Sequence, residues 1–120
     1  KILDFAIMNL DSENYLKNII EKPTDEVALI YKDIMGKNRV SMNIFKFDGK
    51  IMYPYLKNCP INLFRNEKEL PTVVLNCIHD YSKAFLGIPL SEHVPDLTSK
   101  EDINIIKEYL KKEYPDELNW

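Results

Sequence analysis

Cysteine, histidine and glycine are all scarce in this chain of 120 residues, and each scarcity excludes a class of site. Cys59 and Cys77 are too few for a disulfide framework and lack the paired spacing of a structural zinc site. The three glycines form no GxGxxG or GxxxxGK[ST] pattern, which excludes the common phosphate-binding loops. We therefore expect no cofactor and no metal, and a reducing cytoplasmic compartment.

A strong charge of one sign is also missing. The net charge is −3, and acidic and basic residues are interspersed along the chain. Binding to nucleic acid through phosphate neutralisation needs a basic face, so we expect no nucleic-acid partner. No apolar run approaches the roughly 18 residues of a membrane span, so we expect no membrane partner. The richness in Lys, Asn and Ile is typical of AT-rich genomes and indicates a bacterial or phage source.

Hydrophobic residues make up 45% of the chain, which is enough for the core of a single globular domain over residues 1–120. Residues 2–9 are predicted to form a strand that is buried on both faces, with a helix as the alternative. A helix from Asp11 or Ser12 to Lys22 is predicted next. A second helix, capped by Thr24, is predicted to end at Gly36. Its predicted buried stripe is Val27, Ile30, Tyr31, Ile34 and Met35.

Residues 39–56 are predicted to form a β-hairpin. Apolar residues alternate with polar ones in its first half, and Asp48-Gly49 is the preferred sequence of a two-residue turn. Tyr53 and Tyr55 then share one face of the return strand. Pro54 lacks a backbone donor, so this strand is expected at a sheet edge, or the pairing is expected to end near Pro54. A loop over residues 57–68 follows.

The segment from Glu69 to Gly87 has the clearest pattern in the chain. It predicts an amphipathic helix over residues 70–86, with Pro71 in the first turn and Gly87 just past the end. The predicted apolar face consists of Val73, Val74, Cys77, Ile78, Tyr81, Ala84 and Phe85. A last helix is predicted to begin at Thr98 or Ser99, where Thr98 and Glu101 match a capping box, and to end before Pro115.

The predicted fold is therefore α+β. It has a small, mainly antiparallel sheet of about three strands, in the order β-α-α-β-β-α-α, packed by helices. The predicted strands lie near residues 2–9, 39–47 and 50–56. The exposed sheet edge, or the helix over residues 70–86, offers a surface for a homodimer.

Two surfaces are candidates for function. The first is the polar ridge of the 70–86 helix, formed by Asn76, His79, Asp80 and Lys83. Leu75 and Leu86 lie on the same side, which indicates that something covers this ridge. The second candidate surface is the face predicted to carry Tyr53 and Tyr55.

The two histidines provide the candidates for catalysis. His79-Asp80 resembles the metal-binding pair of HD-type phosphohydrolases, but the resemblance is limited to this dipeptide, and such sites need further histidines. His93 is the only other histidine in the chain. If His93 meets His79 in space, the two can serve as acid and base without a metal, with Lys83 stabilising negative charge.

Three functions remain open. The favoured hypothesis is a small non-enzymatic binding protein, of inhibitor, immunity or adaptor type, that acts through a protein partner. The alternative is a small metal-independent hydrolase or nuclease that uses His79 and His93. A third hypothesis is a sponge or sensor for a nucleotide ligand, which requires a deep pocket with aromatic and basic lining.

Overall fold

A computed structural model of the chain describes residues 5–92 and 95–117. The chain divides into two compact units, Lys1–Pro89 and Leu90–Trp120. The described elements follow the order β-β-α-α-α-α, so the α+β class is confirmed. The described residues form a sheet of two strands, so the predicted three strands and the predicted order β-α-α-β-β-α-α are not confirmed. The prediction of one domain over residues 1–120 stays a prediction.

The sheet of the first unit has two antiparallel strands, β1 (Ile7–Leu10) and β2 (Leu16–Ile20). The predicted helix over residues 11–22 is therefore wrong. The Asp11 carboxylate accepts hydrogen bonds from the backbone N–H groups of Glu13 and Tyr15, at 2.8 and 2.9 Å. An Asp side chain that bonds the backbone two residues on closes a turn, and this turn returns the chain alongside β1.

A third segment pairs with β1 at a single point. Val40 forms an isolated antiparallel bridge with Ile7, and the Ser41 N–H donates to the Ala6 carbonyl at 2.9 Å. The predicted strand over residues 39–47 is thus reduced to one bridge. Because Ile7 has chain segments on both sides, it is fully buried.

Helix α1 (Asp25–Ile30) begins as predicted, with the Thr24 hydroxyl accepting a hydrogen bond from the third residue beyond it. It ends at Ile30, earlier than predicted. Further along the chain, the Asp33 carboxylate accepts hydrogen bonds from the N–H groups of Met35 and Lys37 and closes a turn. The predicted buried stripe is wrong. No residue of α1 is buried, and Ile34 is fully exposed.

Helix α2 (Gly49–Asn58) occupies the place of the predicted hairpin turn and return strand. The Asp48 carboxylate accepts hydrogen bonds from the N–H groups of Lys50 and Ile51, at 2.9 and 3.4 Å. An aspartate before a glycine can therefore cap a helix as well as turn a hairpin. Pro54 lies inside α2, not at a sheet edge.

Helix α3 (Leu70–Asp80) is confirmed, with Pro71 in its first turn. It ends earlier than predicted, so Gly87 is not its C-terminal stop. Of the residues on the predicted apolar face, only Val73, Val74 and Cys77, which lie within the helix, are buried. Tyr81, just beyond the helix, is exposed instead.

The core of the first unit is built around α3. Val73 and Cys77 pack with Met52 of α2. On the other side, Val74 packs against Leu16 and Ile19 of β2. Helix α3 therefore joins the sheet to α2.

The second unit contains α4 (Asp102–Glu113). The predicted capping pair of Thr98 and Glu101 is corrected: the Asp102 carboxylate accepts hydrogen bonds from the N–H and hydroxyl groups of both Thr98 and Ser99, at 2.8 to 3.1 Å. The helix ends before Pro115, as predicted. In the described part of the chain, none of the helices has the length and apolar character needed to cross a membrane.

Replacing Pro54 with alanine is expected to stabilise the protein by about 1–2 kcal/mol, because alanine restores an N–H donor inside α2 and removes the clash of the proline ring. The matched control is Pro71→Ala, where the missing donor lies in the first turn and has no helical acceptor. Urea denaturation measures both variants. A gain at Pro54 no larger than that at Pro71 would argue against α2.

Replacement by alanine is expected to change the stability of the protein in opposite directions at two glycines. A Cβ atom at Gly87 would lie 2.8 Å from both terminal carbons of Leu10 and 3.2 Å from the Asn14 carbonyl, whereas one at Gly49 meets nothing within 4 Å. Gly87→Ala should destabilise the protein by about 1–2 kcal/mol through overpacking. Gly49→Ala should stabilise it by about 0.5–1 kcal/mol because the unfolded chain loses freedom. Thermal unfolding tests the pair, and equal shifts would contradict the described packing.

Candidate functional site

The packing of α2 on α3 joins parts of the two surfaces that the sequence treats as separate. The Tyr55 hydroxyl of α2 donates a hydrogen bond to Asp80 Oδ2 of α3 at 2.7 Å. On the same carboxylate, Oδ1 lies 3.4 Å from Nδ1 of His79. We refer to Tyr55, His79 and Asp80 as the Tyr–Asp–His cluster.

The Asp80 carboxylate sets the ionisation of the cluster. The hydrogen bond from Tyr55, followed by that with His79, holds the pKa of Asp80 below its usual range. The same bond to Asp80, together with desolvation and the charge of the carboxylate, raises the pKa of Tyr55 to about 12. At neutral pH the cluster therefore contains a carboxylate and a neutral phenol that donates to it.

The exposure of His79 limits the chemistry of the cluster. Its side chain is 90% exposed and that of Asp80 is 55% exposed. A general base needs a substrate held within hydrogen-bond reach, or one water away. An exposed ring on a helix surface does not hold a substrate by itself, but it can bond to a group that a partner brings.

The remaining predicted residues are dispersed. Asn76 is exposed on α3, one helical turn before Asp80. Lys83 lies beyond the end of α3, where its ammonium is 3.1 Å from Glu13 Oε2 and 5.4 Å from the centre of the Tyr15 ring.

The predicted face shared by Tyr53 and Tyr55 is wrong. Residues two apart on a helix point to different sides, and Tyr53 is exposed on α2 away from the cluster. His93 lies outside the described residues, so its pairing with His79 stays a prediction. Leu75 packs against the core and does not contribute to an exposed ridge.

The cysteines add no reactive group to the cluster. Burial, and then the charge of Asp80, raises the pKa of the Cys77 thiol. Both Cys59 and Cys77 are buried and free. Within residues 5–92 and 95–117, no group of three or more His, Cys, Asp or Glu side chains is placed to hold a metal ion.

A cleft of about 480 Å³ lies at the turn of residues 62–67 and was not predicted. Its charged lining is Glu21, Lys22, Arg65, Glu67, Lys68 and Glu69. None of the described residues that line it is aromatic, unlike the pocket that a nucleotide sponge requires. The sequence signal was Asn62, a turn-forming residue, directly before the apolar pair Leu63-Phe64.

Comparison with protein-family models, with curated proteins and with solved structures finds no match to this chain. The geometry and chemistry of the described residues are therefore the basis for a functional assignment. Among the predicted candidates, the structure brings together Tyr55, His79 and Asp80.

The titration of Tyr55 tests the geometry of the cluster. Its pKa is raised from 10.0 to about 12, so its contribution to stability is complete below pH 10 and is lost as the pH rises through 12. In Asp80→Ala the pKa of the phenol should fall from about 12 toward 10, because the hydrogen bond to the carboxylate, the largest cause of the shift, is gone. Absorbance of tyrosinate at 295 nm should then be higher in the variant at pH 11, by up to about one ionised tyrosine.

His79→Ala provides the matched control for this titration. It should leave the titration of Tyr55 near 12, because the Tyr55–Asp80 bond remains. Identical curves for the wild type and Asp80→Ala would contradict that bond.

Proposed function

We propose that this chain is a small non-enzymatic binding protein, of inhibitor, immunity or adaptor type, that binds a protein partner at the Tyr–Asp–His cluster. The observation that supports the proposal is the bond of 2.7 Å from Tyr55 to Asp80, made across two helices beside the exposed His79. This bond orders polar side chains while leaving much of their surface free.

Such an arrangement favours recognition of a protein. A tyrosine that is already held by a hydrogen bond has little rotamer freedom left to lose when a partner binds. Tyrosine is also enriched in protein interfaces, where it combines an apolar ring with a polar tip. Asn76 and Tyr81 are exposed near the cluster in sequence and extend the polar and aromatic surface.

The alternative of a hydrolase or nuclease has less support. Lys83, which was predicted to stabilise charge, is paired with Glu13 instead of facing His79. Asp80 divides its two oxygens between Tyr55 and His79. The His79 side chain is 90% exposed, so little of the protein surrounds the ring on which this alternative depends.

The rate of phosphodiester hydrolysis distinguishes a binding protein from a hydrolase. For a binding protein, the wild type should hydrolyse bis(p-nitrophenyl) phosphate and a short RNA no faster than the His79→Ala/His93→Ala variant. For a hydrolase, the wild type should turn over and the variant should lose activity by about 100-fold or more. Activity that depends on either histidine would overturn the proposal.

Photocrosslinking tests the binding surface directly. A benzophenone amino acid at position 76 should give a discrete product in extract of the source organism, and His79→Ala/Asp80→Ala in the same chain should remove it. The matched control places the benzophenone at Glu26, which is exposed on α1 of the same unit. A product that is unchanged by the two substitutions, or no product, would contradict binding at the cluster. A product with the mass of two copies would indicate a homodimer through α3.

A further inference from the structure

The Asp80 carboxylate has hydrogen-bonding capacity that the Tyr–Asp–His cluster leaves unused. An ionised carboxylate can accept about four hydrogen bonds on its two oxygens. The Tyr55 hydroxyl donates one of them at 2.7 Å, and Nδ1 of His79 lies 3.4 Å from the other oxygen, which is longer than a usual N–H···O bond. Because the Asp80 side chain is 55% exposed, its remaining lone pairs are open to solvent.

The negative charge of Asp80 is also left without a strong cation. Among the residues that the structure describes, no lysine or arginine lies within ion-pair distance of its carboxylate. Lys83 is paired with Glu13 instead. Asp80 is the last residue of α3, where the unpaired carbonyl groups of the helix add negative potential. A carboxylate at this end of a helix is unfavourable by itself, and a cation bound beside it offsets that cost.

Two tyrosine rings lie beside this carboxylate. Tyr55 is half-buried and Tyr81 is 60% exposed. The hydrogen bond to Asp80 is the largest cause of the raised pKa of Tyr55, and charge on Tyr81 is a smaller one, so the two phenols are near each other. The Tyr81 backbone is fixed to the end of α3, because its N–H donates to the Cys77 carbonyl at 2.9 Å. The faces of such rings attract cations.

A protein that covers the cluster therefore has to bring a positive group. Covering removes water from the Asp80 carboxylate, and a desolvated charge without a cation is strongly unfavourable. The Tyr55 hydroxyl is a neutral donor, so it satisfies a lone pair without balancing the charge. Binding at the cluster is thus favourable only when the partner supplies the balancing charge.

The surroundings of Asp80 favour arginine over lysine as that group. A guanidinium presents five N–H donors in a planar fork, which can bond two acceptor sites of a carboxylate at once. Its flat face can also stack on a tyrosine ring, whereas an ammonium is a compact and strongly hydrated charge. Arginine and tyrosine are both enriched among the residues that contribute most to binding in protein interfaces.

We infer that Asp80 and Tyr81, with Tyr55 holding the carboxylate, form a site for an arginine side chain of the protein partner. The guanidinium bonds the free lone pairs of Asp80 and stacks on the exposed ring of Tyr81. Since it names the group that the partner presents to the Tyr–Asp–His cluster, this site depends on the proposed function.

Charge and exposure separate this occupant from others. The phosphate groups of a nucleic acid or of an anionic lipid surface are repelled by the Asp80 carboxylate and by the net charge of −3. A metal ion needs several ligands, and the described residues form no group of three or more His, Cys, Asp or Glu side chains that could hold one. A small free cation would make few other contacts, because the His79 side chain beside Asp80 is 90% exposed.

Selection from a displayed library of random cyclic peptides tests the inference. The probe is the purified wild-type chain, with counter-selection on His79→Ala/Asp80→Ala. Enriched peptides should share an arginine, and its replacement by citrulline, which keeps the shape and removes the charge, should weaken binding by about 30-fold or more. Asp80→Asn keeps an acceptor for Tyr55 and should weaken binding of the same peptides by a similar factor. The matched control Glu26→Gln makes the same change in net charge on α1 and should alter affinity by less than about 2-fold.

A double-mutant cycle separates direct contact from a general effect of charge. If the guanidinium contacts Asp80, the citrulline peptide should lose little further affinity on Asp80→Asn, whereas independent, additive losses would overturn the inference. Tyr81→Leu should weaken binding of the arginine peptides by about 5-fold, and an unchanged affinity would contradict the stacked geometry. Both variants should melt within about 3 °C of the wild type, because the replaced side chains are exposed. The citrulline replacement alters the peptide alone, so it needs no variant to fold.

The selection also distinguishes failure of this site from failure of the proposed function. Peptides that require His79 and Asp80 but carry lysine, acidic or only apolar residues in place of arginine would overturn the arginine site and still support binding at the cluster. Failure to enrich any peptide that distinguishes the wild type from His79→Ala/Asp80→Ala would overturn both.

Discussion

Burial of one side of α3 is the interaction on which the rest of the first unit depends. Val74 is fully buried against β2, while Val73 and Cys77 pack with Met52 of α2. Without the buried side of α3 between them, the two-stranded sheet and α2 would share little apolar surface. An isolated two-stranded sheet is marginal in water, so packing against a helix is what makes β1 and β2 stable.

The same helix positions the proposed binding surface at one end and the turn of residues 62–67 at the other. Asp80, its last residue, receives the hydrogen bond from Tyr55, and Glu69, just before its first residue, accepts hydrogen bonds from Arg65 and Asn62 of that turn. At both ends of α3, exposed side chains are thus held by a helix whose other side is buried. Rigid support behind exposed groups lowers the entropy lost on binding, whichever partner is bound.

Three aspartates show why the choice between a turn and a helix could not be predicted from the sequence alone. Asp11, Asp33 and Asp48 each accept hydrogen bonds from backbone N–H groups a few residues later, but the first two close turns and the third caps a helix. The same hydrogen-bonding chemistry can close a turn or cap a helix, because an aspartate accepts from local N–H groups in either conformation. Predicting a helix at 11–22 and a hairpin at 39–56 therefore failed at these residues, while Thr24 was a correct cap.

The sequence by itself determined the α+β class, helix α3 with its buried side, and the position of Asn76, His79 and Asp80 on the polar side of that helix. These follow from the helical spacing of apolar residues, which is local. Only the tertiary structure decided that Tyr55 contacts Asp80, that Lys83 pairs with Glu13, and that a charged cleft lies at the turn of residues 62–67. Those contacts join residues far apart in the chain, and they depend on how helices and strands pack, which no local spacing encodes.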